Sequence, residues 1–130
     1  PVAAVHALAY PIGGLFHVSH GLSNSLIFTH VLRFNSALTE TSEDYSQLSQ
    51  SLFPKIELTE SHFDNANEFC IKLEELILSL GLPVRLRDLR IPKSACEVMA
   101  KHAMKQTRLL VNNPREINES DALQIYRQAW

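Results

Sequence analysis

From Ser61 to Leu80 apolar residues return at spacings of three and four: Phe63, Ala66, Phe69, Cys70, Leu73, Leu76, Ile77 and Leu80. That period lines one side of an α-helix and does not fit the two-residue alternation of a strand. Gly81 offers a helix-ending cap and Pro83 forbids continuation, so this helix is predicted to stop near Leu80. The same reasoning predicts a short helix from the N-terminus and a loop at Pro11, Gly13 and Gly14. A second helix is predicted from His20 to about Asn35, carrying Leu22, Leu26, Ile27, Val31 and Phe34 on one face. A third is predicted from about Ser42 to Leu52, with Ser42 as its cap and Pro54 as its stop. Ser94 and Glu97 have capping-box spacing and predict a helix to about Arg108. Asn112-Asn113-Pro114 predicts a loop, and a last helix runs from about Glu119 to Ala129. No run of alternating β-branched residues interrupts this pattern. The expectation is an all-α chain, an irregular bundle of about six helices forming one domain over residues 1–130.

The 130 residues suffice for one core, and 45% hydrophobic with 20% charged is ordinary for a globular protein. A net charge of −2 gives no electrostatic reason to expect nucleic acid or an anionic membrane. Arg85, Arg87 and Arg90 form the only basic cluster and read as a solvated edge. No apolar stretch approaches the ~20 residues that cross a bilayer. Cys70 and Cys96 fall on apolar helix faces, which predicts reduced core thiols in a cytoplasmic protein. Pro1-Val2-Ala3 enters a helical pattern with no lead-in and no initiating Met. We therefore expect a C-terminal piece of a longer chain.

Three of the six histidines, His6, His17 and His20, lie in the first 20 residues. On one straight helix the 14 residues between His6 and His20 would span about 21 Å, too far to share an ion. A chain reversal at the Pro11–Gly14 break would bring them together, with His20 at a helix N-terminus that favours a neutral ring. Two imidazoles suit zinc or ferrous iron, yet a catalytic ion needs at least one further ligand.

The stretch His6-Ala7-Leu8-Ala9-Tyr10-Pro11-Ile12-Gly13-Gly14-Leu15-Phe16-His17-Val18-Ser19-His20-Gly21-Leu22-Ser23-Asn24 resembles the metal-binding segment of the iron-containing (group III) alcohol dehydrogenases. The continuation Ile27 to Asn35, the run Leu109 to Glu116 and the closing Asp121-Ala122-Leu123 helix also resemble that family. The resemblance covers essentially the whole chain and implies the helical C-terminal domain of a two-domain dehydrogenase. By it, His6 and His20 are two of four protein ligands of Fe2+ (or Zn2+). An aspartate and a histidine on an earlier helix, and the α/β domain that holds NAD or NADP, have no counterpart in these 130 residues. The piece alone is expected to be inactive.

One departure stands out. Tyr10 occupies the place where the family usually has another histidine, close to the nicotinamide and the reacting carbon. Four residues after His6, it shares that ligand's face on a helix. Tyr10 is thus the candidate catalytic residue, with an altered proton relay and simple pocket shaping as alternatives, of which we favour the second. Phe16 is a candidate wall for a substrate pocket. His17 is expected in solvent and His30 as a buried hydrogen-bonding residue or one backing the ligands, while His62 and His102 receive no role. The implied substrate is a small alcohol or aldehyde, and the implied assembly a homodimer. Rival readings are a zinc enzyme similar to glycerol dehydrogenase or dehydroquinate synthase, and a non-catalytic helical interaction module.

Overall fold

The computed structural model describes residues 2–130. Its helices are α1 (Ala4–Phe16), α2 (His20–Asn35), α3 (Thr39–Leu52), α4 (His62–Ser79), α5 (Ala95–Ala103), the single turn α6 (Thr107–Leu110) and α7 (Glu119–Gln128). A 3₁₀ turn, Leu86–Leu89, lies between α4 and α5. No strand occurs among the described residues, as the periodicity predicts. The core is built where α1, α2, α5 and α7 meet, around Leu8, Ile12, Leu26, Ile27, Met99, Ile125 and Tyr126. The pair α3 and α4 leans on this core through α2.

The first helix departs from expectation. It runs unbroken through Pro11, Gly13 and Gly14 to Phe16. Proline there removes one N–H from the ladder and costs about 3 kcal/mol, and each helical glycine about 1 kcal/mol. Leu8, Ala9, Pro11 and Ile12 are all buried, and full burial of Leu8 and Ile12 alone stabilises by about 1.5–3 kcal/mol each. Tertiary packing therefore outweighs the local breakers. The chain reverses three residues later, at His17, which sits in the left-handed region at φ 56° and sends its N–H to the Gly13 carbonyl.

Gly13 has a separate reason to be small. A Cβ there would stand 3.2 Å from the Val18 carbonyl oxygen, across the tight α1–α2 corner, whereas a Cβ on Gly14 would meet nothing within 4 Å. Gly14→Ala is expected to stabilise the protein by about 0.5–1 kcal/mol through helix propensity. Gly13→Ala should fail to gain that increment, because the Val18 backbone must shift. Urea unfolding of the two variants compares them directly, and equal gains would remove the steric account of the corner.

Other boundaries move for identifiable reasons. α3 starts at Thr39, not Ser42, and Ser42 is no cap: its buried hydroxyl donates to the Thr39 carbonyl at 2.7 Å. The buried face of α3 is Thr41, Ser42, Ser46 and Ser49, a hydroxyl stripe that receives Asn65 of α4 at Ser46 Oγ, 3.1 Å away. α4 begins on a Ser61 cap that the sequence did not single out and closes, as predicted, at Gly81, φ 72°. Its apolar stripe is only partly covered, for Phe63, Leu76 and Leu80 are exposed. The helix predicted from Ser94 to Arg108 ends at Ala103, and Ser94 makes no side-chain cap. The chain turns at residues 104–106, so that Leu109 and Leu110 pack against the core beside α1. α7 carries a capping box that the sequence reading passed over, with Asn118 and Asp121 exchanging side-chain-to-backbone bonds at 3.0 and 3.1 Å.

Cys70 and Cys96 are free and buried, and burial pushes the Cys70 thiol up to about 11. Arg85, Arg87 and Arg90 are exposed on or beside the 3₁₀ turn, as a solvated edge should be. No described helix is long and apolar enough to cross a membrane. The C-terminal loop is fastened to the end of α2. Asn35 and Asn113 exchange amide hydrogen bonds at 3.1 and 2.7 Å, and Arg115 donates to the Phe34 carbonyl while stacking on its ring.

Candidate metal centre

His6 and Tyr10 stand one turn apart on α1, and His20 is the first residue of α2. The corner at His17 brings the three rings to one place. The His6 and His20 ring centres are 5.4 Å apart, and those of Tyr10 and His20 are 5.9 Å apart. An imidazole nitrogen about 2.1 Å from an ion puts its ring centre about 3.2 Å away, so two rings sharing an ion tetrahedrally lie about 5.2 Å apart. The observed pair fits that separation. Among the described residues, no three His, Cys, Asp or Glu side chains gather around one point. These 130 residues thus present two neighbouring imidazoles and not a closed site.

The group faces outward. His6 is half-buried, His20 is exposed, and Tyr10 keeps 47% of its surface. Asn24, one turn beyond His20 on α2, holds its amide nitrogen 3.1 Å from His20 Nε2. The Asn24 amide oxygen is buried without a hydrogen-bond partner. An amide in this place fixes the His20 ring and is itself left with an unmet acceptor, an arrangement suited to a site completed by further groups. Sequence reasoning gave Asn24 no role, although its i, i+4 spacing from His20 was the available signal.

The remaining candidates separate from this centre. His17 is exposed at the corner, as expected. Phe16 packs half-buried against the core at the end of α1. His30 lies about 15 Å farther along α2 than His20. It is half-buried, with the charges of Glu74 and Arg33 nearby. It lines a polar cleft with Arg33, Arg115, Asp121, Gln124 and Gln128, and burial lowers its pKa from the usual histidine value. On its other side stands Glu74. Burial alone would raise the Glu74 pKa, but hydrogen bonds from Arg33 and Thr29 hold it below the ordinary carboxylate value. His62 is exposed and His102 half-buried, and neither approaches the pair.

A second cleft, of about 450 Å³, adjoins the centre through Tyr10. Its other lining residues are Val2 and, from the far end of the chain, Gln106, Arg108, Leu109 and Asn112. Asn112 ties the two ends together, donating to the Val2 carbonyl at 2.9 Å and the Arg108 carbonyl at 3.3 Å. The sequence reading missed this wall, because nothing local marks residues about a hundred positions apart as neighbours.

Residues 1–130 match the family model described as Fe-containing alcohol dehydrogenase family, C-terminal. The chain is 34% identical over 134 residues to long-chain-alcohol dehydrogenase 1 of Geobacillus thermodenitrificans (strain NG80-2), covering 99% of this chain and 32% of that protein. It is 32% identical over 126 residues to 1,3-propanediol dehydrogenase of Klebsiella pneumoniae, covering 97% of this chain and 32% of that protein. A solved structure of 1,3-propanediol oxidoreductase superposes with a TM-score of 0.87 at 31% identity, over 98% of this chain and 32% of that one. The chain thus spans about a third of the length of the relatives it matches.

Proposed function

This chain belongs to the Fe-containing alcohol dehydrogenase family as its C-terminal helical region, and we propose that it supplies His6 and His20 as two ligands of a catalytic iron. The parent enzyme would be NAD(P)-dependent and interconvert small alcohols with aldehydes or ketones. The observation that carries this reading is the convergence of two imidazoles from separate helices at a ring separation of 5.4 Å. The other two ligands, an aspartate and a histidine by the resemblance, and the dinucleotide site would come from outside these 130 residues. Zinc would suit the same nitrogens. A cytoplasmic homodimer completes the proposal, with the buried free thiols of Cys70 and Cys96 favouring a reducing compartment.

When bound, the ion supplies Lewis-acid polarisation of the alcohol oxygen. The protein's own groups do the rest of the positioning. Asn24 holds the His20 ring in place. The corner at His17 fixes α2 against α1, so the two rings stay side by side. Tyr10 stands beside the His20 ring and shares the adjoining cleft, which supports its role as a wall of the substrate pocket.

The full-length protein carrying this sequence is expected to purify with about one iron per chain. It should reduce NAD+ or NADP+ with a primary alcohol, lose that activity to a chelator and regain it with Fe2+. Metal analysis and the change in absorbance at 340 nm read both parts. A protein that binds no metal and reduces neither dinucleotide with any alcohol would falsify the dehydrogenase reading.

A further inference from the structure

We propose that Arg108 is a specificity residue which receives the carboxylate of an ω-hydroxy acid, or of its semialdehyde, in the cleft it shares with Tyr10. The inference rests on the dehydrogenase reading above and names the substrate class of that same site.

Three observations carry it. The first is placement. Tyr10 is at once a wall of the cleft and a neighbour of His20, so a molecule reacting beside the imidazole pair extends its chain into the cleft. The second is charge. Arg108 is the only ionisable cation among the lining residues, and no carboxylate lies within 4 Å of it among the described residues. Arg33, Arg115 and Arg127, by contrast, are engaged by Glu74, by the Phe34 carbonyl and ring, and by Glu97. A guanidinium left without an internal partner at the mouth of a cleft is the group that binds a carboxylate through two parallel hydrogen bonds. The third is support. Asn112 holds the Arg108 carbonyl and the Val2 carbonyl together, which fixes the backbone that carries the guanidinium.

The composition of the cleft agrees with an amphipathic guest. Val2, Leu109 and the Tyr10 ring offer an apolar passage, while Gln106, Asn112 and Arg108 offer polar ends. Its volume of about 450 Å³ lies in the range of small-molecule sites. A neutral alcohol of the same length would leave Arg108 without its anion.

The test uses the full-length, iron-loaded enzyme and chain-matched pairs: 4-hydroxybutyrate against 1-butanol, 5-hydroxypentanoate against 1-pentanol and 6-hydroxyhexanoate against 1-hexanol. The best acid should exceed its matched alcohol in kcat/KM for the wild type. Arg108→Leu should lower that acid-to-alcohol ratio about 10–100-fold, chiefly through KM for the acid, and Arg108→Lys should restore part of it. Pentanoate, which carries the anion without the reacting group, should inhibit 1-pentanol oxidation competitively and lose about tenfold in potency in Arg108→Leu. An unchanged ratio in Arg108→Leu overturns the proposal. So does a rise in the dinucleotide KM at constant ratio, which would assign Arg108 to a cofactor phosphate. In both cases neutral alcohols still turn over and the dehydrogenase reading stands. No turnover of any alcohol would sink both.

Discussion

Substitution of His20 by alanine is expected to strip iron from the purified full-length protein and to lower kcat/KM for alcohol oxidation about a thousandfold. His20 opens α2 with its ring turned toward His6, 5.4 Å away between ring centres. These two are the ligands proposed from this chain, so loss of one would remove half of what this region offers an ion. Polarisation of the alcohol oxygen contributes several kcal/mol to the barrier, and each 1.4 kcal/mol is tenfold in rate. His17→Asn is the matched control. It changes the neighbouring exposed histidine to a residue that tolerates the left-handed backbone at φ 56°, and should leave the iron content intact. Metal analysis of both variants, with circular dichroism to check folding, reads the outcome. A His20→Ala protein that keeps its iron and its turnover would remove His20 from the ligand set.

The sequence disclosed the proximity of His6 and His20 more accurately than the device that produces it. His6 and His20 are useful to one ion only if the chain reverses between them, and the Pro11–Gly14 stretch advertised a reversal. The reversal occurs, but at His17, where no proline or glycine marks it. Local breakers were overruled because Leu8, Pro11 and Ile12 lie on the face of α1 that the core demands. The long periodic helix α4 was legible in its span and in the Gly81 that ends it. Its stripe was not a guide to burial, since Phe63, Leu76 and Leu80 extend past the elements that pack on it. The serine face of α3 was illegible for the opposite reason. Hydroxyls that bond back to carbonyls three residues earlier can be buried at little cost, so polarity did not report exposure there. The Arg108 cleft joins the two ends of the chain, and no pattern of local period reaches that far.

The largest stability effect is expected at Tyr126, whose side chain is wholly buried between α7 and α1. Its hydroxyl donates to the Leu8 carbonyl at 2.6 Å, one residue along from the Ala7 carbonyl that Pro11 leaves without its usual donor. Burial drives the Tyr126 pKa well above the ordinary phenol value, so the group is a neutral donor at neutral pH. Tyr126→Ala is expected to lower the unfolding free energy by about 3–5 kcal/mol, as truncation of a large core aromatic does. Tyr126→Phe keeps the ring and isolates the hydrogen bond, with an expected loss of about 1–2 kcal/mol. The consequence reaches the metal centre, because Leu8 lies midway between His6 and Tyr10 on α1. Loosening that carbonyl frees the turn that aims both side chains, so Tyr126→Phe should also weaken iron binding several-fold while leaving every proposed ligand in place. Urea unfolding and iron titration of the full-length variants test the two halves. A phenylalanine variant as stable as the parent would mean that the hydroxyl contributes nothing to the clamp. One that is destabilised yet binds iron normally would confine Tyr126 to the core.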